Sequence, residues 1–415
     1  MSLMRDLKAT ARGAAAAALS GLIGAQVRAA PAFGGRAASP GPPVLGELRR
    51  VVVLHPLEIG DVVMLTPFLR ALRRLLPAAR ITLVVTPEAL PLVALCPHVD
   101  SVQPYDQKMR PAWRPLRLPG RAWATARRLA ALEGPFDLVL MPRYLEDNCY
   151  ATFLAYWSGA RWRVGYSERF SDRKRLLNRG FDRLLTHALD APPLQHDVLS
   201  ALDLLRFLGG TAEDDALELW WDEADEAAAL SLLRGGGAEP GDRLVALCPT
   251  GGHSALKQWP VENFARLGQW LQSQDARVVL VGGPGDAALG EFLAQALGAG
   301  VINVTGRTTL RGLAALLARC RCFVGNDAGP MHMAAAVGVP TVALFGSSCR
   351  QRFGPWGPGH AALSQELPCS PCGRGHTPYR CRTCIYDRPE CLHGLTVKEV
   401  QAAVGAALRG TNENC

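Results

Sequence analysis

No stretch of this chain reaches the roughly 18 consecutive apolar residues of a membrane-spanning helix, so none of it reads as crossing a bilayer in that form. Gly-x-Gly-x-x-Gly is absent, which disfavours a dinucleotide fingerprint, and no Gly-rich turn ends in the Gly-Lys-Ser/Thr of a P-loop. Nothing resembles a helix-turn-helix or an RNA-binding motif, so nucleic acid is not an expected partner despite the positive charge. No repeat of fixed short period runs through the chain, and residues 1–48 are nearly free of acids, with only Asp6 and Glu47. Cysteine is not scarce, at 12 in 415 residues, yet this is far from the density of a small disulfide scaffold. Seven are scattered and five crowd into residues 369–391, which favours a reducing cytosol and a local metal or thiol site.

What is present describes a protein large enough for two cores, 48% hydrophobic and 20% charged. Its net charge of +8 is uneven, because residues 1–200 carry 27 Lys/Arg against 16 Asp/Glu and the remainder 18 against 21. The first half should attract anions. Residues 1–48 read as a disordered or amphipathic basic arm; a cleaved signal peptide is the alternative, disfavoured because the apolar stretch is mostly Ala.

From residue 49 strands and helices alternate. "RRVVVLHP", "ARITLVVT" and "FDLVLMP" are continuous apolar runs separated by helical spacing such as "TPFLRALRRLLP". A second series opens at "DRLVALCP" and runs through "ARVVLVGGPGD", "VINVTG", "RCFVG" and "TVALFG". Such runs are expected of parallel strands covered on both faces, so the class is α/β with two doubly wound domains, 49–235 and 236–415. An acidic, then Gly-rich stretch near residues 212–242 marks the passage between them.

Ligands are expected at the carboxyl ends of such strands. "HPLEIGD" places Asp61 at one end, as a helix cap or a catalytic carboxylate, with Gly60 allowing a tight bend. "CPTGGHSALK" brings Thr250, Gly251 and Lys257 to a helix mouth, a Gly-rich turn with one Lys that suits a diphosphate. "NDAGPMH" places Asp327, Ala328 and Gly329 where N–H groups at a helix start suit a phosphate, with His332 one turn inside. Asp327 would bond hydroxyls, and Asp286 in "LVGGPGD" lies toward a ribose or base. The bland alternatives are a cap for Asp327 and a satisfied core histidine for His332.

Taken together, "EIGDVVMLTPFLRALRRLLPAARITLVV", "LVALCPTGGHSALKQWPVENFARLGQWL", "LVGGPGD" and "FVGNDAGPMHMAAAVGVPTVALFG" resemble glycosyltransferase family 9, the heptosyltransferase type, over roughly residues 49–405. The Asp-x-Gly-x-x-His-x-x-Ala-Ala block is the most specific part. The resemblance implies a GT-B fold of two facing Rossmann-like domains, with donor in the C-terminal one and acceptor against the N-terminal one. It implies Asp61 as general base, Lys257 on the diphosphate, the 327–332 loop on phosphate and sugar, and Asp286 near the nucleoside. It further implies inverting, metal-independent transfer, ADP-heptose as the favoured donor, and an anionic glycolipid acceptor such as the lipopolysaccharide inner core. The absence of Asp-x-Asp fits that, since metal-using glycosyltransferases of the other main fold rely on it. The rivals are a GT-B enzyme with another donor or acceptor and a non-catalytic nucleotide-sugar-binding protein.

Arg and Trp interleave in "KMRPAWRPLRLPGRAWATARR", and "RWRVGYSERFSDRKRLLNRGFDR" holds eight basic residues, which suits an anionic acceptor and peripheral contact with the inner membrane from a cytoplasmic position. No cofactor is expected for catalysis. Cys369, Cys372, Cys381 and Cys384 form two Cys-x-x-Cys units that fit a structural Zn²⁺, with iron–sulfur ligation, free thiols and disulfides as alternatives. A terminal helix, "TVKEVQAAVGAALRG", is expected to cross back to the first domain, as is common in GT-B folds.

Overall fold

The computed structural model describes residue 25 and residues 41–107, 114–190, 194–211, 213–252, 254–372 and 384–410. Of the basic arm 1–48, residues 1–40 other than residue 25 therefore lie outside the described residues, as does Cys381.

Two six-stranded parallel sheets organise the chain. The first contains β1 (Arg50–Leu54), β2 (Arg80–Val85), β3 (Ser101–Pro104), β4 (Leu138–Met141), β5 (Trp162–Tyr166) and β6 (His187–Leu189), in the order β3-β2-β1-β4-β5-β6. The second contains β7 (Leu244–Cys248), β8 (Arg277–Leu280), β9 (Ile302–Asn303), β10 (Cys322–Asn326), β11 (Thr341–Leu344) and β12 (Ala361–Leu363). Its order, β12-β11-β10-β7-β8-β9, is the same winding read from the opposite edge. The central strands are buried along nearly their whole length because helices cover both faces. Two Rossmann-like halves of this kind make up a GT-B architecture.

In such a sheet the crevice opens where the strand order reverses. That point lies between β1 and β4 in the first half and between β7 and β10 in the second. The loops leaving these four strands carry Asp61, Pro142-Arg143, Thr250 to Lys257, and Asp327 to His332.

The halves are joined by packing and by charge. The Ile59–Met64 helix of the first meets the Gly329–Ala336 helix of the second, and one buried cluster includes Val62 and Val63 together with Met331 and Met333. Arg352, 2% exposed, grips Asp197 of the first half through Nε and Nη2 at 2.9 to 3.0 Å. His196 donates from Nε2 to the carbonyl of Gly354 at 2.9 Å and stacks on Trp356, ring centroids 4.4 Å apart.

Two elements sit differently from the reading by pattern. The Val397–Gly410 helix stays with the second half, because Val400 and Val404 bury into the same cluster as Phe264, Leu267 and Leu271 of the Val261–Ser273 helix. The Glu223–Gly235 helix, capped by Asp222, packs on the Leu310–Leu317 helix, and Arg311 holds Asp225 at 2.8 Å.

Candidate functional site

Asp61 lies in the first turn of the short helix that follows β1. Its side chain is 17% exposed and faces Arg143, two residues beyond the end of β4, at 3.4 Å between Nη1 and Oδ2. Burial pushes the carboxyl up, but the surrounding groups, Arg143 foremost, together outweigh it and leave the acid below its ordinary range. Asp61 is therefore ionised near neutrality. His55 donates from Nε2 to the Asp61 carbonyl at 3.2 Å, and burial brings its own pKa down to about 4, so the ring is neutral. His55 Nδ1 and Arg143 Nε are buried without hydrogen-bond partners among the described residues.

Gly60 has a role other than the expected tight bend. It is helical, and a Cβ placed on it would come within 2.6 Å of His332 Cδ2. The histidine ring occupies the space that a side chain at position 60 would need. Similarly, a Cβ on Gly329 would lie 3.3 Å from Ile59. The two glycines let the Ile59–Met64 helix and the helix beginning at Gly329 come together.

On the second half, Asn326 closes β10 and its buried amide bridges two points of the neighbouring loop. Nδ2 donates to Pro249 O at 2.8 Å, and Oδ1 accepts the Trp259 N–H at 3.0 Å. Held this way, the loop presents Lys257, whose Nζ lies 2.6 Å from Asp327 Oδ2. Gly251 leaves no room for a Cβ, which would fall 2.6 Å from Gln258 Cγ and 2.8 Å from Lys257 O, so it serves the closure of its own loop. Thr250 accepts the Gly252 N–H at 3.2 Å. Ala328, Gly329 and Pro330 stay half-exposed at the helix start, while His332 is buried, neutral by desolvation, and 4.0 Å from Asp327 Oδ1.

Lys257, Asp327 and His332 thus gather at the start of the Gly329–Ala336 helix, which packs against the helix that carries Asp61, and Thr250 and Gly251 belong to the loop that holds Lys257. Asp286 stands one strand away, beyond β8, and its carboxylate caps the Gly283 N–H at 2.9 Å. Cys369, Cys372 and Cys384 are not in disulfides, and among the described residues no group of three or more His, Cys, Asp or Glu gathers to hold a metal. The reading by pattern missed Arg143 and Arg352. Their one signal is position, since each follows the carboxyl end of a strand near the crevice.

A recess opens beside Arg143, lined by Leu57, Asp147, Tyr166, Lys174 and Phe181 among others. Arg143 also borders the smaller hollow around Asp61. The basic stretch 161–183 is less uniformly available than its composition suggests. Arg163 is buried and bonds the Leu184 and Ala160 carbonyls, Lys174 bonds those of Tyr144 and Tyr166, and Arg173 pairs with Glu146. Arg161, Arg169, Arg175, Arg179 and Arg183 remain exposed.

The chain resembles known proteins over most of its length. Lipopolysaccharide heptosyltransferase 2 of Salmonella typhimurium is 28% identical over 307 residues, 72% of this chain and 83% of that protein. A glycosyl transferase family 9 structure from Veillonella parvula superposes with a TM-score of 0.71 at 24% identity, covering 87% of this chain and 97% of the other. The structure of E. coli ADP-heptose lps heptosyltransferase II gives 0.64 at 20% identity, covering 88% and 99%. The model of glycosyltransferase family 9 (heptosyltransferase) matches residues 124–382, more than half of the chain. With the crevice, the winding of both sheets and this match in agreement, the chain belongs to glycosyltransferase family 9 and is a heptosyltransferase-like glycosyltransferase.

Proposed function

We propose that the protein moves a sugar from a nucleoside-diphosphate donor, with ADP-heptose favoured, onto a hydroxyl of an anionic glycolipid such as the lipopolysaccharide inner core, inverting the anomeric centre without a metal. One observation carries this reading: the helix that bears the ionised Asp61 packs against the start of the Gly329–Ala336 helix, Gly60 against His332 and Gly329 against Ile59, at a closeness only glycine allows. The names of the relatives support the donor and acceptor class.

In this mechanism Asp61 takes the proton of the acceptor hydroxyl as its oxygen attacks the anomeric carbon. Arg143 keeps the carboxylate charged and turned toward the acceptor recess. The carbon–oxygen bond to the diphosphate breaks on the opposite face. Charge growing on the leaving diphosphate meets Lys257, released from Asp327, and the N–H groups at the helix start. Asp327 is then free to accept sugar hydroxyls, and Asp286 lies outward toward the nucleoside.

Acceptor-dependent ADP release and donor calorimetry test the reading. Asp61→Asn should lower turnover by about 10²- to 10⁴-fold, the usual worth of a positioned base, and leave donor affinity within about twofold. Undiminished turnover removes Asp61 from the mechanism.

A further inference from the structure

The longest helix among the described residues, Arg114–Glu133, contains five arginines and one acid. That acid, Glu133, is buried and bonded to Arg80 at 2.7 Å. Leu118, Ala122, Ala126 and Leu129 bury one side of the helix against the first sheet. The opposite half of its circumference exposes Arg117, Arg121, Trp123, Arg127, Arg128 and Leu132 and no acid at all.

Trp123 is 41% and Leu132 61% exposed, and the Arg127 guanidinium lies over the Trp123 ring at 5.8 Å. A solvated helix face ordinarily intersperses Glu with Lys or Arg. Here Gly120, Ala124 and Ala131 take the intervening exposed positions, which leaves a low cationic strip that a flat surface can approach closely. Arginines with an exposed tryptophan and leucine, on a helix whose other side is anchored, complement the headgroup layer of an anionic bilayer.

The helix also reaches the carboxyl ends of the first sheet's strands, the side of the sheet on which the crevice opens. Arg128 bonds Gln103 and the Pro104 carbonyl at the carboxyl end of β3, and Arg121 pairs with Asp106 just beyond it. Next to these, Gln107 donates to the Pro56 carbonyl at 2.6 Å, in the loop that leads to Asp61.

We infer that the outer face of the 114–133 helix docks on an anionic lipid bilayer and so holds the mouth of the acceptor recess at the membrane surface. The purpose of such docking rests on the glycolipid-acceptor reading above, but its test needs neither donor nor acceptor, so the two ideas fail separately. The full chain is co-sedimented with phosphatidylcholine vesicles and with vesicles containing about one third phosphatidylglycerol. Binding is expected on the anionic vesicles only, weakening with salt. Arg127→Gln should lower the partition coefficient roughly fivefold, and Trp123→Ala with Arg127→Glu by more than about tenfold. Arg266→Gln, an exposed site on the second half, should leave it unchanged, and circular dichroism of all variants should match the parent. Binding of the Trp123/Arg127 double variant at the parent level, equal binding to neutral vesicles, or no vesicle binding by the parent chain overturns the inference.

Discussion

The replacement Gly60→Ala tests how closely the two halves must approach for catalysis. Its new methyl group would sit 2.6 Å from His332 Cδ2, about 0.8 Å inside ordinary contact, and 3.3 Å from Nε2. The ring has little room to retreat, since His332 is 4% exposed and its helix is packed on both sides. On stability the effects oppose each other. Alanine in a helix gains roughly 0.5–1 kcal/mol over glycine, while overpacking costs about 1–3 kcal/mol. A net loss near 1 kcal/mol shifts the melting temperature by only about 1 °C in a chain of 415 residues, at roughly 2.1 cal/mol/K of unfolding entropy per residue. Catalysis is more sensitive, because a displacement of about 1 Å between reacting groups can cost around a hundredfold. Steady-state transfer with both substrates varied, beside a thermal melt, should show kcat/KM reduced roughly 30- to 100-fold with the fold nearly intact. A Gly60→Ala enzyme with parental kcat/KM would refute the reasoning, because the contact would then have no bearing on the assembled site.

Arg143→Met should raise the Asp61 pKa, since the attraction that depresses it is lost while burial remains. A base with a depressed pKa stays ionised down to low pH, so the acid limb of the kcat/KM profile should move to higher pH in the variant; an unmoved limb separates Arg143 from Asp61. Asn326→Ala removes both ties between β10 and the Lys257 loop and should weaken donor binding about tenfold, at roughly 1.4 kcal/mol for two lost hydrogen bonds, with parental calorimetric affinity as the contrary result. Arg352→Met takes from the largely buried Asp197 its ion-pair partner and should lower stability to urea by about 3 kcal/mol; adding Asp197→Asn should recover most of it, and a neutral single variant would show the pair does not join the halves.

Much of this protein is legible along the chain. β1, β2, β4, β7, β10 and β11 are apolar runs whose burial on both faces follows from composition, and the loops after β1, β7 and β10 announce themselves by glycine beside a charge. The helix over 114–133 is harder to read because Pro115, Pro119 and Gly120 argue for a break. Pro119 is nevertheless accommodated inside the helix, and its buried Leu118, Ala122, Ala126 and Leu129 repeat at helical spacing. The basic run 161–183 misleads in another way, since Arg163 and Lys174 are buried and use their donors on backbone carbonyls. Burial of individual charges leaves no mark in local composition.

Alternating apolar strands and amphipathic helices were enough to specify two wound α/β halves, because each such element must bury a face whose period is written locally. The pairing of charges was not. Arg143 and Asp61 are 82 residues apart, Arg352 and Asp197 155, and neither pair has a sequence pattern to announce it. Their meeting depends on which strand follows which in the sheets and on how closely two glycines let the halves approach. Those are properties of the assembled chain, and they settle which carboxylate stays ionised, which histidine stays neutral and where the crevice lies.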